Sequence, residues 1–205
     1  MHDLTLTILA GGRNSRMKRE KAFLKINEER LIDRMVNESK NFFNEIIVVT
    51  NEVEKYKYLD AKVISDLIPR QGPLAGIHAG LIKSSFPFSF VIACDMPFAS
   101  MKLGTKLAKE ARNYDVVVPL LERGLQPLQA VYSKDCVPVI ENHLKSSQRK
   151  TTDIYSELKV KTISEKELAK WGFDRRIFLN INTPQEYEEL LTMIKEQKND
   201  LKKYS

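Results

Sequence analysis

The stretch LAGGRNSRMKREK, residues 9 to 21, contains the residue types of a phosphate-binding loop. Two adjacent glycines, Gly11 and Gly12, follow a short apolar run, and glycines let backbone N–H groups converge on phosphate oxygens. Arg16 and Lys21 could donate charge-assisted hydrogen bonds to the same oxygens. The alternative is a surface turn with incidental basic residues. Neither a Walker A loop nor a dinucleotide fingerprint is present, because the spacing of the glycines differs from both.

Positive charge is concentrated in the same part of the chain. The formal net charge is +6 at pH 7, and residues 13 to 25 carry six Lys or Arg against the single Glu20, which is +5. Only +1 is left for the rest of the protein. A long polyanion binds best to a basic stripe across a surface, whereas a charged loop suits a small anion. The charge pattern therefore favours a small anionic ligand over nucleic acid.

The run FVIACDMPF, residues 90 to 98, ends an apolar strand pattern in a carboxylate. Asp95 comes where the strand ends, and Pro97 prevents the strand from continuing. A carboxylate in this place suits Mg²⁺, which takes one or two carboxylates and completes its shell with phosphate oxygens and water. The alternative is that Asp95 caps the following helix. Cys94 alternates to the opposite side and is expected in the core.

The segment GPLAGIHAGL, residues 72 to 81, predicts a helix that approaches a neighbour closely. Gly76 and Gly80 are four residues apart, so they lie on one face of that helix. Glycines lower helix propensity and are retained where space is needed. The neighbour is either a strand, in tight helix-on-sheet packing, or a ligand. His78 is expected to be an ordinary side chain rather than a metal ligand.

Strand-like and helix-like segments alternate along the chain. The predicted strands are Leu4–Leu9, Glu45–Thr50, Lys62–Ile64, Ser89–Ala93, Asp115–Pro119, Leu128–Tyr132, Lys159–Ile163 and Ile177–Asn180. The predicted helices are Leu31–Phe43, Pro73–Lys83, Lys102–Ala111 and Pro184–Lys195, the last with Thr183 and Glu186 as a capping box. This alternation predicts an α/β fold, a three-layer α/β/α sandwich with a mainly parallel sheet. Ligands bind beyond the carboxyl ends of the strands in such sheets.

Polar side chains follow several of these strands. Asp66 could accept a hydrogen bond from a sugar hydroxyl or a nucleobase, and Asn51 occupies the equivalent place after another strand. Asn180 and Asn182 are two residues apart at a predicted strand end, so they could face the same cleft. Structural roles in turns are the alternative for all four.

Length and composition indicate one globular domain over residues 1–205. Hydrophobic residues make up 42% of the chain, and no apolar run approaches the roughly 20 residues of a membrane span. We therefore expect a cytoplasmic protein with no membrane contact. The two cysteines and three histidines show no spacing typical of a zinc site.

Taken together, five segments in this order resemble the molybdenum cofactor guanylyltransferases. They are LAGGRNSRM with Lys21, GPLAGIHAGL, ACDMP, QPLQAVY and NINTP, and they span nearly the whole chain. The wider nucleotidyltransferase superfamily shares the glycine-rich loop and the strand-end aspartate, whereas GPLAGI and QPL point to this family. One position departs from the family pattern Arg-Met-Gly-x-Asp-Lys, since Lys18 replaces the glycine while the spacing from Met17 to Lys21 is preserved.

The resemblance implies a nucleotidyltransferase-type, Rossmann-like fold and a reaction that joins GMP from Mg-GTP to the phosphate of molybdopterin. It assigns roles to positions of this chain: Leu9, Ala10 and Gly11 to nucleotide contact, Lys21 to phosphate, Asn51 and Asp66 to the nucleoside, and Asp95 to Mg²⁺. Arg16, Lys21 and the metal on Asp95 would neutralise the α-phosphate during attack. The remaining strand ends would bind the acceptor through neutral amides, namely Gln126, Asn180 and Asn182.

Two other functions compete with this one. A related nucleotidyltransferase with another base or acceptor, such as a molybdopterin cytidylyltransferase, would use the same loop. A nucleotide-binding protein that delivers cofactor without turnover would not need both Lys21 and Asp95. The expected partners are GTP, molybdopterin and, transiently, proteins that supply molybdopterin or mature molybdoenzymes.

Overall fold

The computed structural model describes residues 2–11, 21–68, 71–146, 148 and 150–203. The strands are β1 (His2–Leu9), β2 (Lys25–Ile26), β3 (Glu29–Arg30), β4 (Phe43–Val49), β5 (Lys62–Ile64), β6 (Phe88–Ala93), β7 (Val116–Leu121), β8 (Gly124–Leu125), β9 (Gln129–Ser133) and β10 (Val160–Ser164). The α-helices are α1 (Leu31–Ser39), α2 (Val53–Tyr56), α3 (Pro73–Lys83), α4 (Met101–Lys109), α5 (Val137–Lys145), α6 (Glu165–Lys170) and α7 (Pro184–Lys203).

The main sheet runs in the order β10-β7-β9-β6-β1-β4-β5, with β8 paired to β7. β1 is parallel to β4 and β6, β4 is parallel to β5, and β7 is parallel to β10. β9 lies antiparallel between β6 and β7. Successive β1 residues are buried on both faces, Leu6 on one and Thr7 on the other, as expected for a covered sheet. The predicted α/β fold with a mainly parallel sheet is confirmed.

Helices cover the two faces with separate apolar clusters. α3 and α5 pack on one face, where Ile77 of α3 and Ile140 of α5 join Val91 of β6. α1 and α4 pack on the other, where Met35 and Leu107 join the sheet residues. The glycines of α3 allow this helix to pack closely on the sheet, because a Cβ on Gly80 would lie 2.4 Å from Thr7 Cγ2 of β1. The helix therefore approaches β1 more closely than any larger residue would allow.

The carboxyl ends of β1, β4, β5 and β6 meet at one edge of the sheet, because these strands are parallel neighbours. β9 runs the other way, and its pairing of Gln129 with Ile92 places its amino end at the same edge. Polar residues that follow β1, β4, β5 and β6 and those that precede β9 are thereby gathered together. This is the edge at which α/β sheets bind ligands.

The predicted strand Ile177–Asn180 is wrong. Residues Arg175–Phe178 form a 3₁₀ helix that begins with the Asp174 carboxylate accepting from the backbone N–H of Arg176. The apolar run instead buries Phe178 in the core from a 3₁₀ helix, and burial alone produced the strand-like pattern.

The predicted helix Leu31–Phe43 is too long. α1 ends at Ser39, whose hydroxyl donates to the carbonyl of Val36. Phe43 already belongs to β4, and its ring stacks on Phe90 with centroids 6.1 Å apart. The apolar residues at both ends of this stretch thus serve two elements rather than one helix face.

A short β2–β3 hairpin packs against α7, and sequence analysis did not predict the hairpin. Its turn residues Asn27 and Glu28 have positive φ angles of 50° and 68°. Tyr187 Oη of α7 donates a 2.6 Å hydrogen bond to the carbonyl of Lys25, and Leu190 packs beside Ile26. The hairpin begins four residues after Lys21, so this contact joins the segment that follows Lys21 to α7. No helix in the described ranges is long and apolar enough to cross a membrane.

Candidate functional site

Lys21 lies at the carboxyl edge of the sheet and contacts both Asp95 and Asn182. It begins a 3₁₀ turn, Lys21–Phe23, in which Ala22 is buried. Its ammonium donates to Asp95 Oδ2 at 2.8 Å and to Asn182 Oδ1 at 2.7 Å. The Lys21 and Asp95 side chains are 21% and 17% exposed, so the pair is screened only partly by water. A cation is thereby held in place at the end of the strands.

Backbone contacts fix Asp95 on both sides. The N–H of Cys94 donates to the carbonyl of Leu9 at 3.0 Å, and the carbonyl of Asp95 accepts from Ile181 at 2.9 Å. The Cys94 thiol is buried, as predicted, and burial raises its pKa to about 12. A neutral, buried thiol cannot serve as a nucleophile. The charged group at this strand end is therefore the Asp95 carboxylate.

The Asp95 carboxylate fits a divalent cation. Its Oδ2 is bonded to Lys21, while its Oδ1 is buried and has no hydrogen-bond partner among the residues that the structure describes. A buried carboxylate oxygen without a partner is costly, and a bound hard cation would satisfy it. In the described part of the chain no cluster of three or more His, Cys, Asp or Glu is placed to hold a metal. A site with one carboxylate suits Mg²⁺ held also by phosphate.

A second group of predicted residues meets beyond β4 and β5. Asn51 Nδ2 donates to Asp66 Oδ2 at 3.4 Å. A Cβ built on Gly11 would lie 3.8 Å from Asn51 Nδ2, and one on Gly76 would lie 3.7 Å from Asp66 Oδ1. Burial raises the pKa of Asp66, and the hydrogen bond from Asn51 offsets this effect only in part. The structure therefore brings Gly11, Asn51, Asp66 and the first turns of α3 together.

Leu9 and Ala10 lie between the Asp95 site and the group formed by Asn51 and Asp66. The Leu9 side chain lies against α3, where a Cβ on Gly76 would be 2.9 Å from Leu9 Cδ2. The N–H of Ala10 donates to the carbonyl of Val49 at 2.8 Å, and Tyr56 Oη donates to the Ala10 carbonyl at 3.4 Å. β1 therefore ends between the nucleoside candidates and Asp95. Arg16 lies outside the described residues.

The three predicted acceptor residues are placed differently. Asn182 contacts Lys21, and its N–H donates to Glu186 Oε2 at 2.5 Å in the predicted capping box that starts α7. Asn180 is exposed and makes no side-chain hydrogen bond within the described ranges. Gln126 Nε2 donates to the carbonyl of Gly124 at 2.8 Å, so this amide is engaged in its own turn. Of the three, only Asn182 directly contacts Lys21.

His78 is buried on α3, and its Nε2 lies 3.2 Å from Glu141 Oε1 of α5. This contact joins α3 to α5. It agrees with the expectation that His78 is an ordinary side chain.

Two residues near the site were not singled out from the sequence. Gln129 lies within the QPLQAVY segment, is fully buried and donates to the carbonyl of Ile177. Arg123 donates to the carbonyl of Phe178. Gln129 could have been found from the sequence, because it is an amide in an otherwise apolar strand and a buried glutamine needs a hydrogen-bond partner.

The chain is similar to molybdenum cofactor biosynthesis enzymes over nearly its whole length. The family model described as "MobA-like NTP transferase domain" matches residues 6–162. A probable molybdenum cofactor guanylyltransferase of Pelotomaculum thermopropionicum is 40% identical over 91% of this chain and 91% of its own length. The molybdenum cofactor guanylyltransferase of Desulfosudis oleivorans is 37% identical over 95% and 98%. Among solved structures, molybdopterin-guanine dinucleotide biosynthesis protein A from Archaeoglobus fulgidus has a TM-score of 0.82 and 25% identity, covering 94% of this chain and 99% of that one.

Proposed function

The chain belongs to the family of MobA-like NTP transferases, and we propose that it transfers GMP from GTP to the phosphate of molybdenum-molybdopterin and releases pyrophosphate. The relatives that are named as guanylyltransferases support this activity. The structural observation that carries the proposal is the Lys21 ammonium held between Asp95 and Asn182. This observation supports the proposal because a cation held there would offset the charge of two anionic substrates.

The protein's part in the reaction is to offset charge and to align the reactants. The molybdopterin phosphate is already ionised at neutral pH, so its oxygen attacks the α-phosphorus of GTP without a general base. A new P–O bond forms as the bond to the pyrophosphate oxygen breaks, and the electron pair leaves with pyrophosphate. Lys21, and Arg16 from the glycine-rich loop, would stabilise the negative charge that develops on the α-phosphate.

Asp95 is the proposed Mg²⁺ ligand through its unpartnered Oδ1, while Oδ2 keeps Lys21 in place. When bound, Mg²⁺ would act as a Lewis acid toward the phosphate oxygens of the nucleotide. Lys21 is held by a neutral amide on its other side. The amide adds no charge, so Asp95 is the anionic partner that offsets the Lys21 ammonium among its two hydrogen-bond partners here.

The group around Asp66 is proposed to bind the nucleoside. Leu9, Ala10 and Gly11 would contact the nucleotide where β1 ends. Asp66 and Asn51 offer a carboxylate and an amide close to Gly76, which suits hydrogen bonds to a sugar or a base. Burial of Asp66 strengthens such bonds because the local dielectric is low.

The acceptor is proposed to enter on the side of Asn180, Asn182 and Gln126, opposite the Asp66 group. These neutral amides suit a heterocycle rich in donors and acceptors. Asn182 places this side directly against Lys21. Transient contacts with proteins that supply molybdopterin or receive the product are also part of the proposal.

The deciding experiment measures pyrophosphate release from each of the four nucleoside triphosphates, with Mg²⁺, in the presence and absence of molybdopterin. We expect release from GTP that requires both molybdopterin and Mg²⁺. Release from CTP instead would identify a cytidylyltransferase. Tight GTP binding with no pyrophosphate from any nucleotide would identify a cofactor-delivery protein and contradict the proposal.

A further inference from the structure

Two side chains of the β7–β9 segment donate to consecutive carbonyls of the 3₁₀ helix Arg175–Phe178. Gln129 Nε2 donates to the carbonyl of Ile177 at 2.5 Å, and an Arg123 guanidinium nitrogen donates to that of Phe178. Gln129 is fully buried, whereas Arg123 is exposed. One inner and one outer donor therefore hold the same turn.

The orientation of the Gln129 amide follows from its acceptor. A carbonyl can only accept, so the nitrogen of Gln129 must face Ile177. The same nitrogen lies 3.5 Å from the sulfur of Met96, the residue after Asp95. Gln129 Oε1 is buried and has no partner in the described part of the structure. An apolar side chain would avoid that cost, so the gain from Gln129 must lie in the position of the turn.

The turn leads directly into the site. Three residues beyond Phe178, the N–H of Ile181 donates to the Asp95 carbonyl at 2.9 Å. The next residue is Asn182, which accepts from Lys21 at 2.7 Å. The described contacts thus form a chain from Gln129 and Arg123 through the turn to Asn182.

We infer that Gln129 and Arg123 are positioning residues that set the place of the 177–182 segment, and so of Asn182, toward the acceptor. This inference rests on the proposed function for the identity of the acceptor. Neither residue touches a reacting atom. They act by keeping the Asn182 amide within reach of Lys21 and of the acceptor, because a segment held at its start has few alternative positions at its end.

The test compares Gln129→Met, Arg123→Met and Arg123→Lys with the unmodified protein. Methionine keeps the volume of Gln129 and suits an apolar site, so the fold should be retained. We expect Gln129→Met to raise the KM for molybdopterin about tenfold, with the Kd for GTP within about twofold. Arg123→Met should raise the same KM about threefold, while Arg123→Lys, which retains a donor, should stay near the unmodified value. In the double methionine variant the KM for molybdopterin should rise by more than the product of the two single increases. Each hydrogen bond to the turn partly compensates for loss of the other.

Tyr132→Phe is the matched control. Tyr132 lies on the same strand as Gln129 and is equally buried, but its hydroxyl bonds to Pro127 and Tyr155 on the other side of the sheet. This variant loses buried hydrogen bonds without touching the turn. We expect it to lower thermal stability and leave both the molybdopterin KM and the GTP Kd unchanged.

Amide hydrogen exchange of Ile181 in the ligand-free protein supplies a readout that does not depend on turnover. Loss of the hydrogen bond from Gln129 or from Arg123 should increase the exchange rate of Ile181, about tenfold for Gln129→Met. Tyr132→Phe should leave this rate unchanged. Unchanged exchange in Gln129→Met, or a GTP Kd that rises together with the molybdopterin KM, would overturn the inference. Absence of turnover in the unmodified protein would instead reject the proposed function, and the exchange result would still decide the positioning role.

Discussion

Lys21 Nζ donates a 2.7 Å hydrogen bond to Asn182 Oδ1, a contact between residues separated by 161 positions. It joins the end of the glycine-rich loop to the start of α7. The same ammonium is paired with Asp95, whose Oδ1 remains free for a cation in the described structure. The group proposed to bind phosphate is therefore in direct contact with a group proposed to bind the acceptor.

Asn182→Ala should impair the use of molybdopterin more than the binding of GTP. The variant removes a neutral acceptor from Lys21 but leaves the ion pair with Asp95. Calorimetry should find a GTP Kd within about threefold of the unmodified value, or about 0.6 kcal/mol, while the molybdopterin KM rises. A parallel loss of Mg-GTP binding would place Asn182 on the nucleotide side. Asn182→Asp is the contrasting variant, since a second carboxylate on Lys21 should weaken GTP binding by repelling phosphate.

Lys21→Ala should reduce kcat about a hundredfold to a thousandfold, the usual loss when a charged donor to the transition state is removed. Lys25→Ala is the matched control, because Lys25 is a basic residue four positions on whose exposed side chain pairs with Glu28 at 3.5 Å. The measurement is single-turnover pyrophosphate release. Equal losses in the two variants would mean that only the general positive field of the loop matters.

Asp95→Asn should abolish most turnover while the fold is retained, because the amide keeps the shape of the carboxylate but binds Mg²⁺ poorly. Rates are compared over a series of Mg²⁺ concentrations, with circular dichroism as the check on folding. Asp60→Asn, at a carboxylate that is 85% exposed in its pair with Lys40, is the control and should be active. An unchanged rate for Asp95→Asn at saturating Mg²⁺ would exclude Asp95 as the metal ligand.

Gly76→Ala and Gly80→Ala should separate ligand contact from packing. The Cβ of Gly80→Ala would meet the stiff, β-branched Thr7 at 2.4 Å, which should cost about 1–3 kcal/mol of unfolding free energy. The Cβ of Gly76→Ala would meet the movable end of Leu9 at 2.9 Å, so its stability cost should be smaller. Leu9 and Asp66 line the proposed nucleoside site, so Gly76→Ala alone should weaken GTP binding. Chemical denaturation and calorimetry on both variants give the comparison, and equal GTP affinities would contradict it.

Asp66→Asn should make the ligand-free protein more stable at neutral pH and weaken GTP binding. Burial raises the pKa of Asp66 above its ordinary 3.8, so the ionised form destabilises the folded state. The stability difference between the variant and the unmodified protein should be largest above the pKa of the folded state. It should shrink as pH falls through that pKa, because the carboxyl is then neutral in the folded protein. Denaturation at a series of pH values measures the trend, and a difference independent of pH would refute it.

The positions along the chain of the main parallel strands, and the polar residues that follow them, could be predicted from the sequence. Leu4–Leu9 and Ser89–Ala93 have strand patterns of their own, and each is followed by the glycine or carboxylate that now lies at the sheet edge. Parallel strands place their carboxyl ends together whatever the remaining contacts are. The meeting of Gly11, Asn51, Asp66 and Asp95 at one edge is therefore a direct consequence of the local patterns.

The segment 177–182 could not be placed in this way. Its apolar residues fit a strand and a buried 3₁₀ helix equally well, and the structure shows a 3₁₀ helix with Phe178 in the core. Likewise, no local pattern reveals that Asn182 faces Lys21 while Gln126 bonds to its own turn. The types of the site residues were thus determined by the sequence alone, because strand ends are local features. Which amide reaches the lysine was decided only by the tertiary structure, because that contact joins residues that are 161 positions apart in the sequence.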